Sequence, residues 1–94
     1  MRMIIIILMR MPTVLFIFGW GLYFYANENT APIHIHAEKG DMECNYWLFV
    51  NEMDIKEEYN YNMSPKDKRE IRKIIFQNFD TLIDSWNNFF LNTT

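Results

Sequence analysis

Several short runs between residues 14 and 50 have a period of two, which is typical of β-strands whose side chains point to opposite faces of a sheet. The apolar runs over residues 14–18 and 22–25 flank an interruption at Gly19-Trp20-Gly21 and predict a hairpin. Further strands are predicted over residues 33–38 and 42–50, joined by a Lys-Gly-Asp turn. The polar stretch over residues 51–62 predicts a loop, with a short edge strand near residues 55–59 as an option.

The rest of the chain has the spacing of an amphipathic helix, because apolar side chains recur every three or four positions from Ile71 onward. Ser64 is the expected N-cap, Pro65 suits the first helical position, and Asp67 supplies an acidic first turn. One helix is expected over about residues 65–90, with a length of about 39 Å. A small antiparallel sheet of three to five strands packed by one long C-terminal amphipathic helix is an α+β fold.

The first ten residues form an apolar run that begins with a charged Arg2. We interpret residues 1–10 as an over-called start or a disordered extension, and residues 11–92 as a single α+β domain. An extra edge strand and a signal or membrane segment are the alternatives. The uncharged stretch from residue 11 to residue 26 is too short for a spanning helix, which needs about 20 residues.

Composition excludes several classes of protein. The chain has 94 residues, a net charge of −3 and one cysteine. Cys44 cannot form an intrachain disulfide, and its place in a strand suggests packing rather than a nucleophile. The sequence lacks a glycine-rich phosphate loop, a nucleophile elbow, an HExxH motif and paired CxxC motifs, so familiar hydrolases and nucleotide-binding proteins lose support.

The sharpest chemical feature is the pair His34 and His36, which project from the same face of a strand. Two adjacent imidazoles suit a catalytic acid–base pair or a grip on phosphate. With Glu38 on the same face, they also form a plausible set of three ligands for a divalent metal. The plain alternative is two solvent-side histidines on a strand whose other face is buried.

Charge is segregated along the chain. The helix start carries +3 over residues 66–73, whereas residues 1–63 carry −4. We expect this basic half of the helix to lie beside the histidine strand, which makes Arg69, Arg72 and Lys73 candidate binding residues for RNA or an acidic partner. A solvated helix face explains them equally well. The abundant aromatic side chains suit a protein interface better than a base-stacking platform, because few basic residues are interleaved with them.

These motifs together resemble a known family. The block over residues 32–41, Pro-Ile-His-Ile-His-Ala-Glu-Lys-Gly-Asp, is the most specific part, and the Met-Pro-Thr at residue 11 and the Ser-Pro helix start extend the likeness to about residue 90. The chain is similar to a small bacterial family known only as domain of unknown function number four-one-six-zero. Many relatives have Pro-Pro before the first histidine, where this chain has Pro32 and Ile33.

The resemblance implies a cytoplasmic protein that is not associated with a membrane. It also implies a small cognate protein encoded by an adjacent gene, in an arrangement like a toxin–antitoxin pair. It points to His34, His36, Gly40 and Asp41 as site residues. Lys39 and Asp41, on either side of Gly40, are the candidate binding residues of this block.

Two functions stay open at this point. The chain is either a nucleic-acid-directed effector, in which the histidines move protons and the basic helix neutralises phosphates, or a non-catalytic antitoxin or adaptor that docks a small protein. A small metal-binding module is a further alternative. Whether the protein is an enzyme is left open.

Overall fold

Five strands form one antiparallel sheet in the computed structural model, which describes residues 13–25 and 32–91, with side chains as far as residue 89. The strands follow one another in space in chain order. They are β1 (Leu15–Ile17), β2 (Trp20–Tyr23), β3 (Ile33–Lys39), β4 (Met42–Phe49) and β5 (Asp54–Tyr61). The expectation of an α+β fold with three to five strands is confirmed.

Two tight turns set the register of the sheet. Ile17 pairs with Trp20 across a two-residue turn in which Phe18 and Gly19 both have positive φ, the backbone of a type I′ hairpin. Gly40, with φ of +60°, occupies the first position of the turn that pairs Lys39 with Met42. Glycine adopts this conformation without strain, so the turn itself explains Gly40.

Both helices pack on one face of the sheet. The buried residues of that face include Trp20, Leu22, Ile35, Tyr46 and Leu48, and they form one cluster with apolar side chains of the helices. We call this the inner face. The alternation of the strands places the opposite side chains on the other face of the sheet.

Two helices follow the sheet, where the pattern predicted one long helix. They are α1 (Pro65–Gln77) and α2 (Phe79–Leu91). The predicted start is confirmed: Ser64 caps α1, and Ser64 and Asp67 form a reciprocal capping box. The prediction of a single helix over residues 65–90 is wrong in its middle.

Asn78 accounts for the break. Its backbone is not helical, with φ of −116° and ψ of 22°. Its side-chain Nδ2 donates to the Ile74 carbonyl at 2.8 Å, in competition with its own backbone N–H, which donates to the same carbonyl at 3.1 Å. Asparagine competes for backbone partners in this way and is a poor helix former. Leu82 N then donates to the Asn78 carbonyl at 3.0 Å and starts the next helix.

The region expected to be mainly a loop contains the longer of the two edge strands of the sheet. Residues 54–61 form a full strand that pairs with β4 along its length. The register shifts between Asn45 and Tyr46, so β5 carries one extra residue, Glu58. This β-bulge changes which side chains of β5 reach each face of the sheet.

The predicted boundary after residue 10 lies outside the described residues, and residues 11–92 as one domain stay a prediction. No helix in the described part of the chain is long and apolar enough to cross a membrane.

Candidate functional site

The sheet face that the helices leave uncovered is rich in aromatic side chains. We call it the outer face. It carries, from β1 to β5, Phe16, Tyr23, Tyr25, His34, His36, Glu38, Glu43, Asn45, Trp47, Phe49, Asp54, Lys56, Glu58, Tyr59 and Tyr61. Among these described residues the charged groups are four carboxylates and one lysine, so the face is acidic.

His34 is held between an aromatic ring and a carboxylate. Its imidazole stacks on Trp47, with ring centroids 4.2 Å apart and planes within 10° of parallel. Its Nε2 lies 2.5 Å from Oε1 of Glu58. The His34 side chain is largely buried, whereas that of Glu58 is exposed. A carboxylate at this distance orients the ring.

His36 continues the same row of rings. It stacks on Tyr23 at 5.4 Å between centroids and meets the edge of Tyr25 at 4.6 Å. The two imidazoles lie 4.7 Å apart, so the structure brings the predicted histidine pair together. Trp47, His34, His36 and the two tyrosines thus form a continuous aromatic cluster across three strands.

The bulge in β5 delivers Glu58 to this cluster. Lys56 lies opposite Trp47 and Glu57 opposite Tyr46, after which both Glu58 and Tyr59 face outward, because the extra residue resets the alternation. Sequence reasoning missed Glu58, since strict alternation across Lys56 and Tyr59 gives no sign of a bulge. The adjacent acidic residues of an edge strand were the only signal present.

Asn45 lies in the centre of the outer face, with His36 on one side and Tyr59 on the other. Its Oδ1 is buried, and it has no hydrogen-bond partner among the described residues. Most buried polar atoms in proteins are paired, so an unpaired one needs an explanation.

The predicted basic residues lie on the other side of the sheet. Arg69, Arg72 and Lys73 belong to α1, which packs on the inner face. Arg72 interacts with the hydroxyl of Tyr46, an inner-face residue whose pKa burial raises to about 12. The sheet therefore separates these cations from the histidines, contrary to the expectation that the basic helix lies beside the histidine strand.

The remaining predicted residues divide between the two faces. Glu38 shares the outer face with the histidines. Lys39 points to the inner face, where its Nζ lies 3.6 Å from Oε1 of Glu70. The exposed Asp41 is in the turn, and its carbonyl accepts a hydrogen bond from Asn62 at 3.1 Å.

The described residues hold no group of three or more histidine, cysteine, aspartate or glutamate side chains placed to bind a metal ion. His34, His36 and Glu38 as metal ligands stay a prediction.

Cys44 points away from this site. It is buried in the core, and burial raises its pKa to about 12. A thiol in this state is a poor nucleophile, which agrees with the packing role predicted for it.

Two chemical capabilities follow from the arrangement. The His34–Glu58 pair beside His36 is able to move a proton. The exposed aromatic side chains Phe16, Tyr59 and Tyr61, at the two edges of the outer face, offer apolar area to a partner.

Comparison with known proteins identifies a family. A search of curated proteins finds no match, and neither does a search of solved structures. The family model described as "Domain of unknown function (DUF4160)" matches residues 19–87, which include all of β2 to β5, α1 and most of α2. The chain therefore belongs to the DUF4160 family.

Proposed function

We propose that this protein is one component of a two-gene, toxin–antitoxin-like module in the cytoplasm, and that it binds a small cognate protein through its outer face. The observation that carries the proposal is the exposure of three aromatic side chains, Phe16, Tyr59 and Tyr61, at the edges of a face whose described charged groups are four carboxylates and one lysine. Aromatic residues are enriched at protein interfaces and supply most hot spots.

Charge favours a protein over a nucleic acid as the ligand of this face. Glu38, Glu43 and Glu58 repel phosphates, whereas they attract a partner with a basic surface. The cations expected to neutralise RNA lie across the sheet on α1. RNA binding by Arg69 and Lys73 would therefore use a different surface from the histidine cluster.

The test is co-purification with the product of the adjacent gene. Phe16 and Tyr59 lie on the outer face and are 75% and 46% exposed, whereas Phe18 in a turn and Phe76 on α1 are 70% and 41% exposed. The double variant Phe16→Ala with Tyr59→Ala should lose the partner. The matched double variant Phe18→Ala with Phe76→Ala removes the same kind of exposed apolar area elsewhere and should retain it.

Equal retention by both double variants would contradict the proposal, and so would the failure of the wild-type chain to bind its neighbour. Because all four side chains are exposed, their removal should leave thermal unfolding nearly unchanged, which a melting curve verifies.

A second candidate is an acid–base effector, and the contact between His34 and Glu58 favours it. In that function, expression of the chain alone arrests growth, and both Glu58→Gln and the double variant His34→Ala with His36→Ala abolish the arrest. Loss of arrest with partner binding retained would support catalysis. Expression that is harmless with and without the neighbouring gene would exclude it.

A further inference from the structure

The unpaired amide of Asn45 lies where the proposed partner would dock. Its Oδ1 is buried without a hydrogen-bond partner in the described part of the chain, although the residue as a whole is only half-buried. The exposed Tyr59 lies directly opposite. A donor that reaches this oxygen removes the cost of an unsatisfied acceptor.

Three neighbouring groups define what that donor is. Glu58 lies beside Tyr59 at the bulge, and a carboxylate has about four acceptor positions, so it is able to accept from a further group while it contacts His34. Tyr59 offers an aromatic face, and Trp47 lies two positions from Asn45 on the same face. Hydrogen-bond acceptors and aromatic rings on one acidic face fit a planar cation.

We propose that the outer face receives an arginine side chain of the partner protein, with its guanidinium donating to Oδ1 of Asn45 and to the carboxylate of Glu58 while it stacks on Tyr59. This inference rests on the proposed function and adds the chemistry of recognition. Arginine fits better than lysine, because its rigid fork reaches two acceptors at once, and because it is more weakly hydrated and stacks on rings.

The test uses the full chain and three small probes, which are N-acetylarginine amide, N-acetyllysine amide and N-acetylcitrulline amide. Citrulline keeps the planar shape and loses the charge. Binding is followed by NMR shifts of the indole and amide signals. The arginine probe should bind about tenfold more tightly than either of the others, the scale of one charged hydrogen bond.

Variants of Asn45 separate recognition from folding. Asn45→Leu removes the acceptor at nearly constant volume. It should weaken the binding of the arginine probe and the binding of the partner by about tenfold to a hundredfold. The same change should raise the melting temperature of the free chain, because it deletes an unpaired buried polar atom. Asn45→Asp keeps an acceptor, adds charge and should retain binding, whereas Asn51→Leu in the exposed β4–β5 turn should change nothing.

The outcomes distinguish this inference from the proposed function. The arginine site is contradicted if the arginine probe binds no more tightly than the lysine or citrulline probe. It is also contradicted if the arginine probe binds Asn45→Leu as tightly as wild type. Either result stands even if partner binding still depends on the outer face. Equal retention of the partner by the double variant Phe16→Ala with Tyr59→Ala and by the double variant Phe18→Ala with Phe76→Ala overturns the proposed function itself.

Discussion

Labelling of Cys44 tests the assignment of the two faces at the centre of the sheet. The residue is 3% exposed, and burial, followed by the charge of Glu57, raises its pKa from 9.0 to about 12. The thiolate is the reacting form, so near pH 8 this change lowers the reactive fraction roughly 10³-fold relative to an exposed thiol. Steric exclusion slows the folded chain further.

The assay follows the reaction of a chromogenic aromatic disulfide with the wild-type chain, folded and in urea, near pH 8. Labelling of the folded chain should be at least about 10³-fold slower than that of the unfolded chain. A matched control moves the thiol to the neighbouring exposed, outward position by Glu43→Cys in a Cys44→Ala background, and this thiol should react almost as fast as in urea.

Labelling of folded wild type within tenfold of the unfolded rate would refute the reasoning. Cys44 would then not face the core, and Asn45 and Trp47, which alternate with it, would not lie on the outer face.

Three further results are expected. Ser64→Ala should cost about 1 kcal/mol in urea unfolding, because it removes the hydroxyl that accepts from Asp67 N. Hydrogen bonds from the backbone N–H of Ser64 and then from its hydroxyl lower the pKa of Asp67. The stability that this carboxylate contributes should therefore be present above the ordinary aspartate pKa and be lost as the pH falls through the lower folded pKa. An Asp67→Asn variant should lose less stability in acid than wild type, and an identical pH profile would contradict this. Leu48→Ala should cost about 2–5 kcal/mol because Leu48 is fully buried, whereas Phe16→Ala should stay within about 0.5 kcal/mol of wild type.

The sequence predicted the elements that local chemistry defines. Gly19 and Gly40 mark hairpin turns by their backbone requirements, and the Ser64–Asp67 pair marks the start of α1, because each effect depends on neighbours in the chain. The outward placement of His34 and His36 followed from the same alternation that buries Ile35.

The missed features depend on tertiary contacts or on a change of period. One extra residue in β5 reverses the alternation and brings Glu58 to His34, which no strict period of two reveals. The break at Asn78 was hidden because apolar spacing continues through it from Ile75 to Phe79. The expectation that Arg69 lies beside the histidines was wrong, because α1 packs on the inner face of the sheet and the histidines lie on the outer face.

The measurement that tests the central claim most directly is the dissociation constant of the proposed complex with the product of the adjacent gene, determined by calorimetry for wild type, Tyr59→Ala and Phe76→Ala. The two side chains have nearly equal exposure, and they lie on opposite sides of the sheet. Docking on the outer face predicts at least a tenfold weaker complex, about 1.4 kcal/mol, for Tyr59→Ala and no change for Phe76→Ala. Equal affinities, or a loss confined to Phe76→Ala, would contradict it.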